Sequence, residues 1–340
     1  GINMELKYNN KRIMPLMGSS FEAGHAADVI KEISDEDERN IATAELFYFS
    51  GEAKKCAELV ERYLETSDIS LRISADMLYA FSNLTLGDAE AAQKGRDDIK
   101  NCISWAMSSD CAEEVKAYCL FASYISMVLL HIQPDGLPDL RAYNRYLPKG
   151  IQLYAVYILA HDAYLHGEYA KALGMAQSAL ILADTDYPIS MIYLQCIIAM
   201  CQINLKNQEE AKKTIGVSWE MARKDGFLEP FIEHHGPRQG TLESYIRKTE
   251  PQLYKKLVDQ VIAFSRGWMK IHNPEAQKKV TSLLTPMEFS IAMLACRDWT
   301  NKEIADYLDL SVSTVKHYVS GILEKLHVDK RDKLKEYVNQ

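Results

Sequence analysis

The side chains best suited to contact a nucleic acid lie near the C-terminus, in the segment that follows Ser311. Ser311 is expected to cap a helix whose apolar stripe begins at Val315. The polar side chains beside that stripe offer hydrogen-bond donors and a cation, which suit base edges in the major groove of DNA. These side chains are Ser313, Lys316, His317 and Ser320.

A second set of polar residues lies at the expected helix starts, where backbone amides and short side chains suit phosphate oxygens. The run from Thr300 to Glu303 has the pattern of a capping box, in which the Thr hydroxyl and the Glu carboxylate satisfy backbone donors. Phosphate contacts are therefore predicted for Thr300, Asn301, Lys302, Ser313 and Thr314.

Three short helices are needed to hold these side chains, and all three are predicted within residues 284–328. Thr285 and Glu288 form another capping box, with proline at the first helical position. The helix that starts at Thr300 is expected to end at Asp309, and the longest helix follows Ser311. Two short helices, a tight turn and a longer third helix are typical of a helix-turn-helix.

The sequence of this region resembles a known family. The runs L-T-P-x-E, T-N-K-E-I-A-x-x-L and S-x-S-T-V-K, with K-L-x-V behind them, are similar to the DNA-binding domain of LuxR/NarL-type bacterial transcription regulators. The resemblance covers the last fifth of the chain, and it implies base contacts by Lys316, His317 and Ser320. Asp298 departs from it by standing where the family usually has glycine, and Gly321 by replacing a frequent asparagine.

Upstream, the chain repeats a pattern of paired helices, with predicted turns at Gly51, Gly87, Gly167 and Lys206. An alanine stands seven residues before each turn and an alanine or cysteine five residues after it, so antiparallel helices can cross closely. The small residues are Ala44, Ala80, Ala160 and Ala199 before the turns, and Cys56, Ala92, Ala172 and Ala211 after them. A further unit near residues 112–148 has lost the pattern, and its turn is predicted at residues 134–138.

These tetratricopeptide-like repeats resemble the sensor region of the large MalT-like LuxR regulators, in which an ATPase domain comes first. No phosphate-binding G-x-x-x-x-G-K-[ST] motif occurs in this chain, so nucleotide hydrolysis is not predicted. The chain starts at Gly1 rather than at methionine, which suggests an excised fragment or a tag remnant.

The hairpin that turns at Gly167 carries a stripe of Tyr154, Tyr157, His161 and Tyr164 on its first helix. Their spacings of three, four and three place them on one side of that helix. In a tetratricopeptide hairpin this helix lines the concave face. Two interpretations stay open: a groove for a peptide or a small amphipathic effector, or packing against the neighbouring hairpin.

Other residues that could do chemistry form no recognisable site. Adjacent His234 and His235 would point about 100° apart on a helix, and no further ligand pattern completes a metal site around them. The acidic run at residues 35–38 is interpreted as a solvated helix start rather than a cation site. The seven cysteines contain no C-x-x-C pair and are interpreted as core thiols. No enzyme activity, metal or cofactor is predicted.

The charge is divided unevenly along the chain, whose net charge is −8. Residues 276–340 hold ten Lys or Arg and nine Asp or Glu, which gives +1, and the remaining residues hold 29 and 38, which gives −9. A weakly positive domain makes few phosphate contacts. We therefore expect two copies to share a DNA site, paired through residues 329–338, where Val328, Leu334 and Val338 form an apolar edge.

The sequence as a whole predicts an all-α protein of tetratricopeptide-like hairpins followed by a small helix-turn-helix domain. Residues 1–20 are predicted to be a weakly ordered lead-in or the tail of a lost domain. The other predicted domains are a sensor or interaction domain (21–235), a helical connector (236–275) leading to a polar linker (273–281), and a DNA-binding domain (276–340). No signal sequence or membrane-spanning apolar run occurs, so a cytoplasmic location is expected. The predicted function is transcription regulation through double-stranded promoter DNA. The alternative is a helical-repeat adaptor for protein partners with a vestigial DNA-binding domain.

Overall fold

The computed structural model describes residues 5–130, 136–234, 246–272 and 274–338. Within these ranges the chain is all-α and contains no β-strand beyond an isolated bridge between Lys7 and Asp68. The chain divides into two compact units, one of residues 1–83 and 90–230 and the other of residues 84–89 and 231–340. Among the described helices, none combines the length and the apolar character needed to cross a bilayer.

The first unit is an array of antiparallel helix pairs, preceded by α1 (Ala26–Glu32). The pairs are α2 (Glu36–Phe49) with α3 (Ala53–Val60), α4 (Ile69–Leu86) with α5 (Ala89–Ser108), α8 (Lys149–Leu165) with α9 (Tyr169–Leu182), and α10 (Pro188–Asn204) with α11 (Gln208–Ala222). Between the second and third pairs lie α6 (Glu113–Leu129) and the short α7 (Leu140–Tyr143), and α12 (Glu229–Glu233) follows the last pair.

The predicted repeat register is confirmed by the backbone at the turns. Gly51, Gly87, Gly167 and Lys206 have φ angles of 78°, 74°, 76° and 65°, so all four turns use the left-handed conformation. The eight small residues that flank the turns are all buried, each at most 4% exposed. Close helix crossing therefore occurs where the sequence predicts it.

The first helices of the pairs form the interior of the array. Helix α10 is buried on almost every side, whereas Ile181 and Leu182 at the end of α9 are 81% and 82% exposed. The ring of Phe49 on α2 lies 6.1 Å from the ring of Tyr193 on α10, so the first and last pairs meet across the centre. The centre of the array is therefore a packed core.

The sequence expectations for residues 1–20, 134–138 and 35–38 have different outcomes. The prediction of a weakly ordered lead-in is wrong, because Ile13 and Leu16 are 0% exposed. The amides of Leu16 and Met17 also donate to the Glu45 carboxylate, at 2.7 and 3.0 Å. A non-helical segment shows no helical period even when it is buried, which is why the pattern was missed. In the degenerate unit, residues 134–135 of the predicted turn lie outside the described residues. Asp35 caps α2 by accepting the Glu38 amide at 2.8 Å, as expected of a helix start.

The second unit contains the connector helix and the predicted DNA-binding domain. Its helices are α13 (Pro251–His272), α14 (Pro274–Leu283), α15 (Pro286–Cys296), α16 (Asn301–Leu308), α17 (Val312–Lys325) and α18 (Lys335–Val338), with a 3₁₀ turn at Arg331–Leu334. The predicted polar linker at residues 273–281 is wrong, because α14 spans nearly all of it. Proline at the first helical position and the buried Val280 favour a helix there. His235 and the rest of residues 235–245 lie outside the described residues.

Candidate nucleic-acid interface

Helix α17 separates an apolar face from a polar one. Ser311 caps its start by accepting the Thr314 amide at 3.0 Å. Val315 and Ile322 are 0% exposed on the inner face. The outer face is exposed and carries all four residues predicted to contact bases, which are Ser313, Lys316, His317 and Ser320. Their spacing of three, one and three places these side chains along one side of the helix.

The start of α16 carries three of the five residues predicted to contact phosphates, Thr300, Asn301 and Lys302. Thr300 and Glu303 form the expected capping box, with the Glu303 amide 3.1 Å from the Thr300 hydroxyl and the Thr300 amide 3.2 Å from the Glu303 carboxylate. Lys302 is exposed beside this cap. Asn301 is half-buried and accepts a hydrogen bond from Arg331 at 2.5 Å. The hydroxyl of Thr314 lies 2.7 Å from that of Ser311, so it belongs to the cap of α17.

An ion pair fixes α17 against α15. The Lys325 ammonium lies 2.8 Å from the Glu288 carboxylate, which is buried and also accepts the Thr285 amide at 2.9 Å. Burial acts to raise the pKa of Glu288, but the hydrogen bonds from Lys325 and Thr285 outweigh it and leave that pKa below its ordinary value. The carboxylate therefore stays ionised and fixes the orientation of α17 relative to α15.

Comparisons of the sequence with known proteins agree with the helix-turn-helix geometry of this region. Residues 282–338 match the family model described as bacterial regulatory proteins, luxR family. These residues form a LuxR-family helix-turn-helix domain. The chain is also similar to the response regulator protein VraR of Staphylococcus aureus strains COL and Mu3, with 34% identity over 100 residues that cover 26% of this chain and 46% of each relative. The chain thus spans about half the length of these curated relatives. No solved structure matches it significantly.

The corner before α16 in the LuxR-type domain accommodates its main departure from the family pattern. Asp298 has a φ of 61°, which is the left-handed conformation that glycine adopts most easily. Aspartate is one of the few other residues that tolerate it. Trp299 follows, 2% exposed, and its amide donates to the Leu294 carbonyl at 3.2 Å. The corner keeps its shape at the cost of some backbone strain.

Two features of the LuxR-type domain were missed from the sequence. Arg331 donates to the Trp299 carbonyl as well as to Asn301, so it couples the C-terminal 3₁₀ turn to the start of α16. Tyr254 on α13 stacks on Trp299 at a ring distance of 6.0 Å, and both rings contact Tyr307 on α16. The connector helix therefore packs on the domain. Arg331 lies 30 residues after Asn301, and Tyr254 lies 45 residues before Trp299, so no local pattern signals either contact.

The tyrosine stripe of α8 lies mostly in the core of the first unit. Tyr154, Tyr157 and His161 are 4%, 0% and 9% exposed, and Tyr164 is half-buried. The rings of Tyr154 and Tyr157 lie 5.0 and 5.1 Å from the ring of Tyr193 on α10. This burial is what the packing interpretation requires. An effector could contact these three side chains only after the core around them had opened.

Part of the apolar edge that was predicted to pair two copies is buried by contacts within the chain. Leu334 is 0% exposed, so the expectation that it would remain open to a second copy is wrong. The 3₁₀ turn that carries it packs on α15, which covers the side chain. Val328 is half-buried, and the side chain of Val338 lies outside the described residues.

Proposed function

We propose that this protein is a sequence-specific transcription regulator that binds double-stranded promoter DNA through its LuxR-type domain. The observation that carries the proposal is the exposed polar face of α17 on a domain of this family. A helix of this size fits the major groove of DNA, where the base pairs present distinct donor and acceptor patterns. Lys316 would donate to acceptor atoms such as those of guanine, while Ser313, His317 and Ser320 could donate or accept.

Phosphate contacts would come from the start of α16 and from the start of α17. The Lys302 side chain would supply charge, and the backbone amides would supply directed hydrogen bonds. In this proposal Thr300, Asn301 and Thr314 act mainly by fixing those helix starts, since their side chains already bond within the domain. Because residues 276–340 carry a net charge of only +1, we propose that two copies share one site.

We propose that the helical array senses an effector or a protein partner. Repeats of this kind offer an extended surface for binding. The alternative function is an adaptor whose C-terminal domain no longer binds specific DNA. In either case a protein partner would find apolar contacts at the adjacent, exposed side chains of Ile181 and Leu182.

The experiment that tests the proposal is selection of duplexes from a random pool by the whole chain, followed by titration of a selected and a scrambled duplex. A regulator should prefer the selected site by at least about a thousandfold, and its affinity should fall steeply with salt. Equal affinity for both duplexes would support the adaptor. The mass of the saturated complex tests pairing, and a single copy per full site would contradict it.

A further inference from the structure

Two helices of the first unit bring together three side chains that suit a metal ion. Asp98 and Cys102 lie four residues apart on α5 and share one side of that helix. Asp76 lies on the facing helix α4. One potential ligand atom from each of the three lies within 4.8 Å of the others. Two carboxylates and a thiol therefore face one point between the helices.

Gly95 explains why α4 and α5 approach so closely at this level. A Cβ atom at position 95 would lie 2.9 Å from the backbone oxygen of Asp76 and 3.1 Å from the Cβ of Ala80. Any side chain there would push the two helices apart. The glycine thus places Asp76 opposite the turn of α5 that carries Asp98.

Asp76 provides an independent sign that this position takes a ligand. The residue is only 1% exposed and its carboxyl is hydrogen-bonded to that of Asp98, but no donor among the described residues reaches its buried Oδ2 atom. A buried carboxylate oxygen left unpaired is costly, so such oxygens are normally satisfied by a donor, a proton or a cation. The Asp76 side chain lines the wall of the cluster and is directed into it.

Arg72 orients the second carboxylate and sets the charge balance. Its Nε and Nη2 atoms donate to the two oxygens of Asp98 at 2.8 and 3.0 Å. The Oδ2 atom of Asp98 also accepts a weak hydrogen bond from the Cys102 thiol at 3.9 Å, which a bound cation would replace. Burial raises the pKa of Asp76 and of Cys102, so a bound metal ion would displace a proton from each; the two carboxylates, the thiolate and the guanidinium would then sum to −2. A divalent cation would bring the buried group to neutrality.

Space beside the cluster would let an ion and water molecules reach it. A cavity of about 490 Å³ lies beside it, with Asp76 and Asp98 in its wall. Water could enter by this route and complete the coordination of an ion.

We propose that Asp76, Asp98 and Cys102 bind a zinc ion. A thiolate together with carboxylates favours zinc over magnesium or calcium, which take oxygen ligands. Three protein ligands leave the fourth tetrahedral position open towards the cavity. The bound ion ties α4 to α5 and makes the rigidity of this hairpin depend on zinc. The proposal does not depend on DNA binding.

Titration of the metal-stripped whole chain with Zn²⁺ and Co²⁺ tests this site. We expect one ion per chain, a higher unfolding temperature with Zn²⁺, and a sulfur-to-cobalt charge-transfer band with Co²⁺. Asp76→Asn should keep the fold, because the amide has the same shape without the buried charge, and should weaken zinc binding by more than about a hundredfold. Arg72→Lys should weaken it by about 10–100-fold, as expected of a residue that orients a ligand.

Cys102→Ser should abolish the cobalt band, whereas Cys201→Ser, at a buried thiol on α10, is the matched control and should retain both the band and the stoichiometry. The proposal fails if the wild-type chain binds no zinc at micromolar concentration. It also fails if Asp76→Asn binds zinc as well as the wild type does. If the wild-type chain binds no zinc, a proton neutralises Asp76, and Asp76→Asn would stabilise the chain with or without zinc.

Discussion

Helices α8 and α17 each carry four side chains along one side that could bind a ligand, but the two sets of side chains lie in opposite environments. The stripe on α17 faces solvent, because this helix packs through a single apolar face. The stripe on α8 lies inside the array, where α6, α9 and α10 all pack against the helix. The number of neighbours, and not the type or spacing of the side chains, decides which stripe can meet a ligand.

The comparison predicts that changes in the α8 stripe affect folding more than binding. Tyr157→Ala combined with His161→Ala removes a fully buried ring and its 3.0 Å partner, so we expect a loss of at least about 3–5 kcal/mol in unfolding free energy. Denaturant unfolding measures it, and the protein that remains folded should bind DNA normally. Unchanged stability with loss of an effector response would instead assign the stripe to an effector groove.

Two buried glutamates extend the comparison to pH. Burial raises the pKa of Glu45 on α2 to about 8, against the opposing hydrogen bonds from Met17 and Leu16, whereas the pKa of Glu288 in the LuxR-type domain is lowered. Glu45 therefore contributes stability that is complete below its unfolded pKa and is lost as pH rises through about 8. The contribution of Glu288 is present above its unfolded pKa and is lost as pH falls.

Glu45→Gln should therefore remove a decline in stability between pH 5 and pH 8, at most about 1.4 kcal/mol for each pH unit. Glu288→Gln is the matched change and should leave that decline in place while flattening the acid side of the profile. Unfolding free energies measured across this range provide the test. A wild-type decline that persists in Glu45→Gln would show that another group causes it.

The α17 stripe should show the reverse of the α8 behaviour. Lys316→Ala or His317→Ala should weaken binding to a selected duplex by about 1–3 kcal/mol and relax base preference, because each removes a donor from the groove. Exposed side chains contribute little to folding, so unfolding free energies should change by less than about 0.5 kcal/mol. Lys302→Ala is the control, and it should weaken selected and random duplexes equally. Equal losses for Lys316→Ala would exclude it from base contact.

The smallest expected effects concern the left-handed backbone that both units use. Lys206 in a hairpin turn and Asp298 in the LuxR-type domain have φ angles of 65° and 61° without being glycine. Lys206→Gly and Asp298→Gly should each stabilise the chain by about 0.5–1 kcal/mol, because glycine adopts this conformation without strain. Gly167→Ala, at a φ of 76°, should have the opposite sign in thermal unfolding. A destabilised Lys206→Gly would mean that the lysine side chain contributes more than the strain costs.

The sequence predicted features that depend on local backbone chemistry. The caps at Thr285, Thr300 and Ser311 and the turn at Lys206 follow from side-chain acceptors and conformational limits within a few residues, and the structure has them all. Features that depend on distant partners were not predicted. Burial of Tyr157 needs Tyr193, which lies 36 residues further along the chain.

The acid and thiol cluster at α4 and α5 shows the same limit. Asp98 and Cys102 have helical spacing, but the third ligand comes from another helix, and only the approach at Gly95 brings it near. The packing of Tyr254 on Trp299 likewise joins elements that share no local pattern. Sequence reasoning therefore located the polar face of α17 but not the surroundings that would make the other stripe inaccessible.

The degenerate unit formed by α6 and α7 has a consequence for the cooperativity of unfolding. In an array of repeats, folding is transmitted through the interfaces between neighbours. At this point α6 is the only long helix on the N-terminal side that packs on α8 among the described residues, since its partner is reduced to the four residues of α7 and a 3₁₀ turn. The buried lead-in bridges the same interruption, with Leu16 bonded to Glu45 on α2 and Gly18 beside Ile151 on α8. Residues 13–18 thus join two groups of hairpins through non-covalent contacts, and we expect the two groups to unfold as one.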